Sequence, residues 1–166
     1  MVKAETNKKT GINNYIMKAY HIAEINIARM KGVNINDPIM KEFVDNIDTV
    51  NAIAESSKGF VWRLKDDSDN ATNMKIFDDE QVIVNISVWE SIEDLENFMY
   101  KSFHSDFLRR RKDWFHRFGK VYTAMWWTGA GQFPTIEEAV ENLDYLEKFG
   151  VSEKVFDFRV TFPKPE

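Results

Sequence analysis

Apolar and polar residues alternate most clearly between positions 82 and 89. One side of an extended chain would carry Val82, Val84, Ile86 and Val88. The opposite side would carry Ile83, Asn85, Ser87 and Trp89. Because bulky side chains fall on both sides, the pattern predicts a central strand whose two faces are both covered.

The same alternation predicts four more strands, at residues 17–28, 60–64, 121–128 and 155–162. Apolar residues at three- and four-residue spacing predict four helices between them. Asp37, followed by Pro38, is the expected cap of the first helix. Ser91 and Thr135, each with an acidic residue three positions later, have the capping-box pattern that begins a helix.

The predicted order of elements is β-α-β-β-α-α-β-α-β. Its first part is the ferredoxin-like β-α-β-β-α-β arrangement with one added helix, and an extra C-terminal helix and strand follow. We therefore expect an α+β fold in which helices cover one face of an antiparallel sheet. Several strands are apolar on both sides, so a second copy of the chain is the expected cover for the other face. Residues 1–17 are expected to be a flexible lead, and residues 18–162 a single domain.

Composition narrows the classes of partner. The net charge of −5 argues against binding to a nucleic-acid backbone. The chain has no cysteine, which removes disulfides, thiolate nucleophiles and cysteine metal sites. No apolar run approaches the ~20 residues of a membrane span, and residues 1–14 do not resemble a secretory signal. We expect a cytoplasmic protein without a membrane or nucleic-acid partner.

The predicted helix at residues 104–118 carries the candidate chemistry. His104 and Arg111 fall on its apolar stripe, at a spacing of seven residues. His104 is interpreted either as an acid–base group or iron ligand, or as a helix-start residue bonded to the backbone. Arg111 faces an apolar layer and needs a partner. That partner is either an anionic ligand or a protein carboxylate such as Glu24 or Asp48.

Other residues could shape a pocket beside this helix. Asn26, Asn85 and Arg63 are polar positions on strands that are otherwise apolar, so they are candidates to face a wet cavity. Four tryptophans could line a flat apolar pocket, or could simply be core residues. They are Trp62, Trp89, Trp114 and Trp126. The proposed ligand-binding set is Asn26, Arg63, Asn85, Trp89, Arg111 and Trp114, with His104 as the catalytic residue.

Separate segments of the chain resemble one known family. They are AYHIAEINIARM, FVDNIDTVNAIAESSKGFVWRL, VNISVWESIEDLENFMYKSFHSDFLRRRKDWF, AMWWTGAGQFPTIEEA and FDFRVTF. Across residues 19–162 the chain resembles the family of domain of unknown function 3291. The resemblance implies a ferredoxin-like dimeric α/β barrel. Wider relatives include antibiotic-biosynthesis monooxygenases and haem-degrading monooxygenases, with a pocket between helices and sheet.

The resemblance also suggests a cofactor. Haem-degrading relatives have a VWES-like strand end, a helix and then an iron-binding histidine, and here residues 88–91 are followed by a helix and His104. Haem is therefore a candidate cofactor. The leading hypothesis is a monooxygenase-like or haem-binding enzyme that acts on a small molecule. The alternatives are a non-catalytic dimeric module that binds a small aromatic or anionic ligand, and a structural dimer without a ligand.

Overall fold

The computed structural model describes residues 19–67, 69, 71–72, 74–102 and 104–166. The expected N-terminal lead and the first two residues of the first predicted strand lie outside these ranges. The strands are β1 Tyr20–Arg29, β2 Phe60–Arg63, β3 Val82–Trp89 and β4 Thr123–Gly129. The helices are α1 Lys41–Ser56, α2 Ile92–Lys101, α3 His104–Trp114 and α4 Ile136–Phe149, and a short 3-10 helix, Pro38–Met40, precedes α1.

The four strands form one antiparallel sheet in the order β2-β3-β1-β4. This strand order, with α1 between β1 and β2 and with α2 and α3 between β3 and β4, is the ferredoxin-like arrangement that the sequence predicted. The α+β class and the position of β3 inside the sheet are confirmed. Ile86 and Val88 of β3 are fully buried, and so is Trp89 on the opposite side.

The two faces of the sheet have separate cores. On the first face, Ile22 and Trp89 pack with Leu95 and Met99 of α2, and α1 and α3 lie on the same side. On the second face, Ile25 and Ile86 pack with apolar residues of α4. The extra C-terminal helix therefore covers part of the face that was expected to await a second copy of the chain.

Helix caps form where the sequence predicted them. The Ser91 hydroxyl accepts a hydrogen bond from the Asp94 amide at 3.1 Å, and Thr135 accepts one from the Glu138 amide at 3.1 Å. Asp37 caps the 3-10 helix by accepting from the Ile39 amide at 3.1 Å. No helix in the described part of the chain is both long and apolar enough to span a bilayer.

The C-terminal chain differs from its prediction. Residues 155–162 do not form a continuous strand but make two isolated bridges, Met125–Phe156 and Asp157–Val160. The cause is a local turn, in which the Asp157 carboxylate accepts from the Arg159 amide at 2.8 Å and binds its guanidinium. Likewise α3 ends at Trp114 rather than at residue 118, because Phe115 pairs with Met30 beside β1.

Candidate functional site

A cavity of about 180 Å³ lies between the first face of the sheet and helices α1 and α3. The central strands β1 and β3 supply its floor, and the two helices supply its walls. Six of the seven residues proposed from the sequence line it. They are Asn26, Arg63, Asn85, His104, Arg111 and Trp114. The structure thus brings together residues that are up to 88 positions apart, from Asn26 to Trp114.

Arg111 enters the cavity wall from the middle of α3. Its guanidinium donates a hydrogen bond from Nη2 to the Ile27 carbonyl at 3.1 Å and lies 4.5 Å from the centre of the Tyr122 ring. Among the described residues, no carboxylate lies within the 4.0 Å of an ion pair with it, so neither Glu24 nor Asp48 pairs with it directly. Burial lowers the pKa of Arg111, but an arginine keeps its charge. A half-buried cation therefore borders the cavity, and none of the described carboxylates is in contact with it as a counter-ion.

His104 stands at the start of the same helix. Its Nδ1 lies 3.4 Å from the Met99 carbonyl, and its ring packs against Phe98 with centroids 4.7 Å apart. Burial lowers the pKa of this imidazole, and the Met99 carbonyl offsets the shift only in part, so the ring is neutral at pH 7. A neutral imidazole that donates from Nδ1 to this carbonyl keeps Nε2 as a proton acceptor.

Amide side chains make the cavity polar on two sides. Asn26 and Asn85 are direct partners in the β1–β3 ladder and lie on its floor, while Asn46 and Asn51 face it from α1. Each amide offers both a donor and an acceptor. Asn85 remains exposed, so the cavity is open to solvent on this side.

Arg63 lines the cavity but is already committed to protein partners. Its side chain is 6% exposed, and Nε bonds Glu55 at 2.9 Å while Nη1 donates to the Asp69 carbonyl at 2.7 Å. Nη2 lies 3.2 Å from the Asp69 carboxylate, outside hydrogen-bond geometry. These contacts hold β2 to α1 and to the loop that follows β2, which makes Arg63 a structural part of the wall.

The tryptophans divide between cavity and core. Trp114 lines the cavity and stacks with Phe107, with centroids 5.8 Å apart. Trp89, proposed as a pocket residue, does not line it. Trp89 is 1% exposed, packs between Phe60 and Phe98, and donates from Nε1 to the Ser87 hydroxyl at 3.0 Å. Trp62 stacks on Phe133, and the Trp126 indole donates a hydrogen bond to the Glu138 carboxylate.

Glu24 is the residue near the site whose importance the sequence did not reveal. It is 2% exposed at the centre of β1, and its carboxylate accepts a hydrogen bond from Thr123 Oγ1 at 3.0 Å. Burial raises the pKa of Glu24 to about 7, although hydrogen bonds and the charge of Arg111 act in the opposite direction. The only sign of Glu24 in the sequence was a carboxylate at an inward position of a predicted strand. That sign suggested no more than a partner for Arg111.

The cavity does not fit a porphyrin as its side chains stand. Pockets for drug-sized ligands occupy roughly 300–1,000 Å³, and the space here is about 180 Å³. His104 could serve as an axial ligand by chemistry, but a cavity of this volume leaves no room for a macrocycle beside it. Among the described residues, no group of three or more histidine, aspartate or glutamate side chains could hold a metal ion.

Comparisons with solved structures found chains of related shape. A protein of unknown function, NE2512 from Nitrosomonas europaea, is 7% identical, with 71% of this chain and 98% of that chain covered and a TM-score of 0.44. SnoaB, a cofactor-independent oxygenase from Streptomyces nogalater, is 15% identical, with 69% and 97% covered and a TM-score of 0.43. A monooxygenase from ActVA-Orf6 of Streptomyces coelicolor, solved with nanaomycin D, is 16% identical, with 70% and 94% covered and a TM-score of 0.39. Identities and TM-scores this low do not indicate what chemistry this chain performs.

A search of curated proteins found no match. The domain of unknown function DUF3291 matches residues 21–166, which include every described strand and helix except the first residue of β1. The chain therefore belongs to the DUF3291 family.

Proposed function

We propose that the protein binds a small aromatic molecule with an anionic group and acts on it as a cofactor-independent, monooxygenase-like enzyme. The observation that supports this proposal is Arg111, a half-buried guanidinium at the cavity wall with no carboxylate in contact among the described residues. An anionic ligand group would supply the missing counter-ion through the planar, bidentate geometry that arginine favours.

The shape of the cavity supports a flat ligand of modest size. Trp114, Phe107 and Phe43 form an aromatic wall on the side of the helices. An engineered apolar cavity of about 150 Å³ holds one benzene molecule. The space of about 180 Å³ here therefore suits a single aromatic ring with one or two small substituents.

His104 is the proposed base. Its Cα lies two helical turns, about 10 Å, from that of Arg111, so the two side chains would approach opposite ends of one bound ring. His104 Nε2 would take the proton of a ring hydroxyl, and the electron pair of the O–H bond would remain on the substrate. Dioxygen would be the oxidant and the ring itself the reductant. A C–O bond would form at a ring carbon next to the hydroxyl in place of its C–H bond, the ring would become a quinone, and the second oxygen atom would leave as water with the hydrogens of the O–H and C–H bonds. Arg111 and the floor amides of Asn26 and Asn85 would stabilise the negative charge.

The proposal is tested with hydroxybenzoates. Binding of 4-hydroxybenzoate and of neutral 4-hydroxybenzamide is measured by calorimetry, and oxygen consumption with an oxygen electrode. We expect the carboxylate to bind at least tenfold more tightly than the amide, and Arg111→Met to remove that preference. Arg109→Met is the matched control, because Arg109 lies on the exposed side of α3. Equal affinities for the two compounds, or an unchanged preference in Arg111→Met, would refute the proposed ligand class.

A non-catalytic binding module is the second candidate. The observation that favours it is the engagement of His104 with the Met99 carbonyl, which also suits a purely structural imidazole. Tight binding without oxygen consumption, unchanged by His104→Gln, would select this candidate. Because the cavity is too small for a porphyrin, added haemin is expected to give no absorption band that depends on His104.

The proposal includes a homodimer. Trp62 and Phe133 stack at 5.4 Å on the face that carries α4, and Phe133 is 50% exposed. These rings, with the β2 side of the second face, form the apolar area that a second copy would cover. Light scattering decides the question: a mass near 39 kDa, twice the 19.5 kDa of one chain, is expected, and Phe133→Lys should lower it.

A further inference from the structure

The Glu24 carboxyl group is buried, and within the described part of the chain no cation is in contact with it. None of the described basic groups lies within the 4.0 Å of an ion pair with it. Thr123 Oγ1 donates to it at 3.0 Å, and Ser87 Oγ lies 3.5 Å from its other oxygen. The Ser87 hydroxyl in turn accepts from the Trp89 indole at 3.0 Å. The group is therefore fixed by neutral donors, which can hold it whether or not it carries a proton.

Glu24 is linked to the cavity in two ways. Asn26, the next residue on the same face of β1, lies close enough for its amide to lower the pKa of Glu24, and it lines the cavity floor. Arg111, which lines the wall, donates to the Ile27 carbonyl of the same strand and packs over Tyr122. Tyr122 is the neighbour of Thr123, which bonds Glu24, so the positive charge of Arg111 lies close enough to act on the Glu24 carboxyl. The other titratable groups on this side include His104, which lines the cavity, Tyr100 of α2, and Tyr122, which precedes β4 and stacks under Arg111. Of the residues that the structure describes, Arg111 is thus the cation that faces Glu24 across the packed elements.

We propose that Glu24 is a second proton-binding residue, beside the cavity, and that it takes up a proton from solvent when an anion binds to Arg111. The inference rests on the proposed function, because it requires a ligand anion at Arg111. Glu24 does not line the cavity and therefore acts through Arg111 and Asn26 as a positioning residue. Its protonation would keep the buried charge of the site balanced as the ligand brings in a negative charge.

The direction of the coupling follows from electrostatics. Burial disfavours the carboxylate and raises the pKa of Glu24 to about 7, while the positive charge of Arg111 favours the carboxylate. An anion bound to Arg111 cancels that favourable charge, so the pKa of Glu24 rises further. If the pKa rises by about one unit, binding near pH 7.5 takes up roughly half a proton per ligand.

Calorimetry with benzoate measures this proton directly. Benzoate carries its own charge throughout the neutral range, so a proton taken up at pH 7.5 belongs to the protein. Binding is measured in phosphate and in Tris, whose ionisation enthalpies differ, and the difference in heat gives the number of protons. We expect roughly half a proton for the wild type and for Glu90→Gln, a control at an exposed glutamate, and almost none for Glu24→Gln. Binding without proton uptake in the wild type would overturn the inference and leave the proposed ligand class intact.

A second measurement needs no ligand. Arg111→Met removes the positive charge permanently, so it should raise the midpoint at which Glu24 loses its proton by about one pH unit. The infrared band of the protonated carboxyl group, identified by its absence in Glu24→Gln, follows this titration. An unchanged midpoint in Arg111→Met would overturn the coupling. If the wild type does not bind benzoate at all, the proposed ligand class fails, and the infrared titration still decides whether Glu24 and Arg111 are coupled.

Discussion

Asn26 of β1 is the direct ladder partner of Asn85 of β3, and both residues line the same cavity. Asparagine is among the residues that strands disfavour. Two of them paired on central strands reduce the stability of the sheet but give the cavity floor four amide donor and acceptor sites under α3. We infer that the two asparagines make the sheet less stable at this point than apolar residues would. Their contribution is to ligand binding instead.

Asn85→Val tests this trade-off. Valine suits a strand, so the free energy of unfolding should rise by up to about 1 kcal/mol, while binding of 4-hydroxybenzoate should weaken about tenfold. Chemical denaturation and calorimetry give the two values. Thr128→Val is the matched control, because Thr128 lies on β4 and does not line the cavity. A valine at position 85 that binds the ligand as well as the wild type would contradict a binding role for Asn85.

Glu24→Gln should change how stability depends on pH. The folded pKa of about 7 lies above the ordinary value of 4.5, so the native state binds more protons than the unfolded state between these two pH values. Stability contributed by neutral Glu24 is therefore lost as the pH rises from 4.5 to 7. Glutamine stays neutral, so the variant should exceed the wild type by about 3 kcal/mol at pH 8 and match it near pH 4. Urea unfolding across this range measures the difference.

An exposed glutamate supplies the control for that experiment. Glu90→Gln should leave the difference from wild type constant from pH 4 to pH 8. If Glu24→Gln behaves in the same way, the buried carboxyl does not titrate in the neutral range, and its proposed coupling to Arg111 loses its basis.

The elements that could be predicted from the sequence are those that local patterns determine. Alternation between residues 82 and 89 depends only on the period of an extended chain, and β3 forms there as predicted. Ser91 and Thr135 cap their helices because a capping box involves residues only three positions apart. His104 and Arg111 reach the same cavity because a spacing of seven residues keeps them on one face of α3.

The remaining features depend on tertiary position. Trp89 shares a face with Asn85, but four residues of strand place it about 13 Å further along, where it packs on Phe98 of α2 instead of lining the cavity. No local pattern distinguishes a carboxylate that pairs with Arg111 from one that lies nearby without contact, as Glu24 does. The turn at Asp157 replaced a predicted strand because a side-chain hydrogen bond competes with a ladder.

His104 should make the protein sensitive to mild acid. Burial lowers its pKa in the folded state below the ordinary 6.5, so the unfolded state binds more protons just below that pH. Stability is then fully present above pH 6.5 and is lost as the pH falls through the lowered folded pKa. In His104→Leu this loss between pH 7.5 and pH 5 should be smaller than in the wild type. Thermal unfolding measures it, with His116→Gln at an exposed histidine as the control. Equal losses in His104→Leu and the wild type would mean that the imidazole is not held neutral.

Gly59, the residue just before β2, stands where the structure leaves no room for a side chain. It has φ +76°, and a Cβ added there would overlap the side chain of Asp94, the residue that bonds Ser91 at the start of α2. Gly131 has φ +82° with no atom within 4 Å of an added Cβ, so it isolates the backbone effect. Gly131→Ala should cost about 1–2 kcal/mol of unfolding free energy, and Gly59→Ala a further 1–3 kcal/mol, roughly, from the overlap. Denaturant unfolding of both variants compares them directly. If the two costs are equal, Asp94 moves aside freely, and the contact between Gly59 and the α2 cap does not help to hold β2 in place.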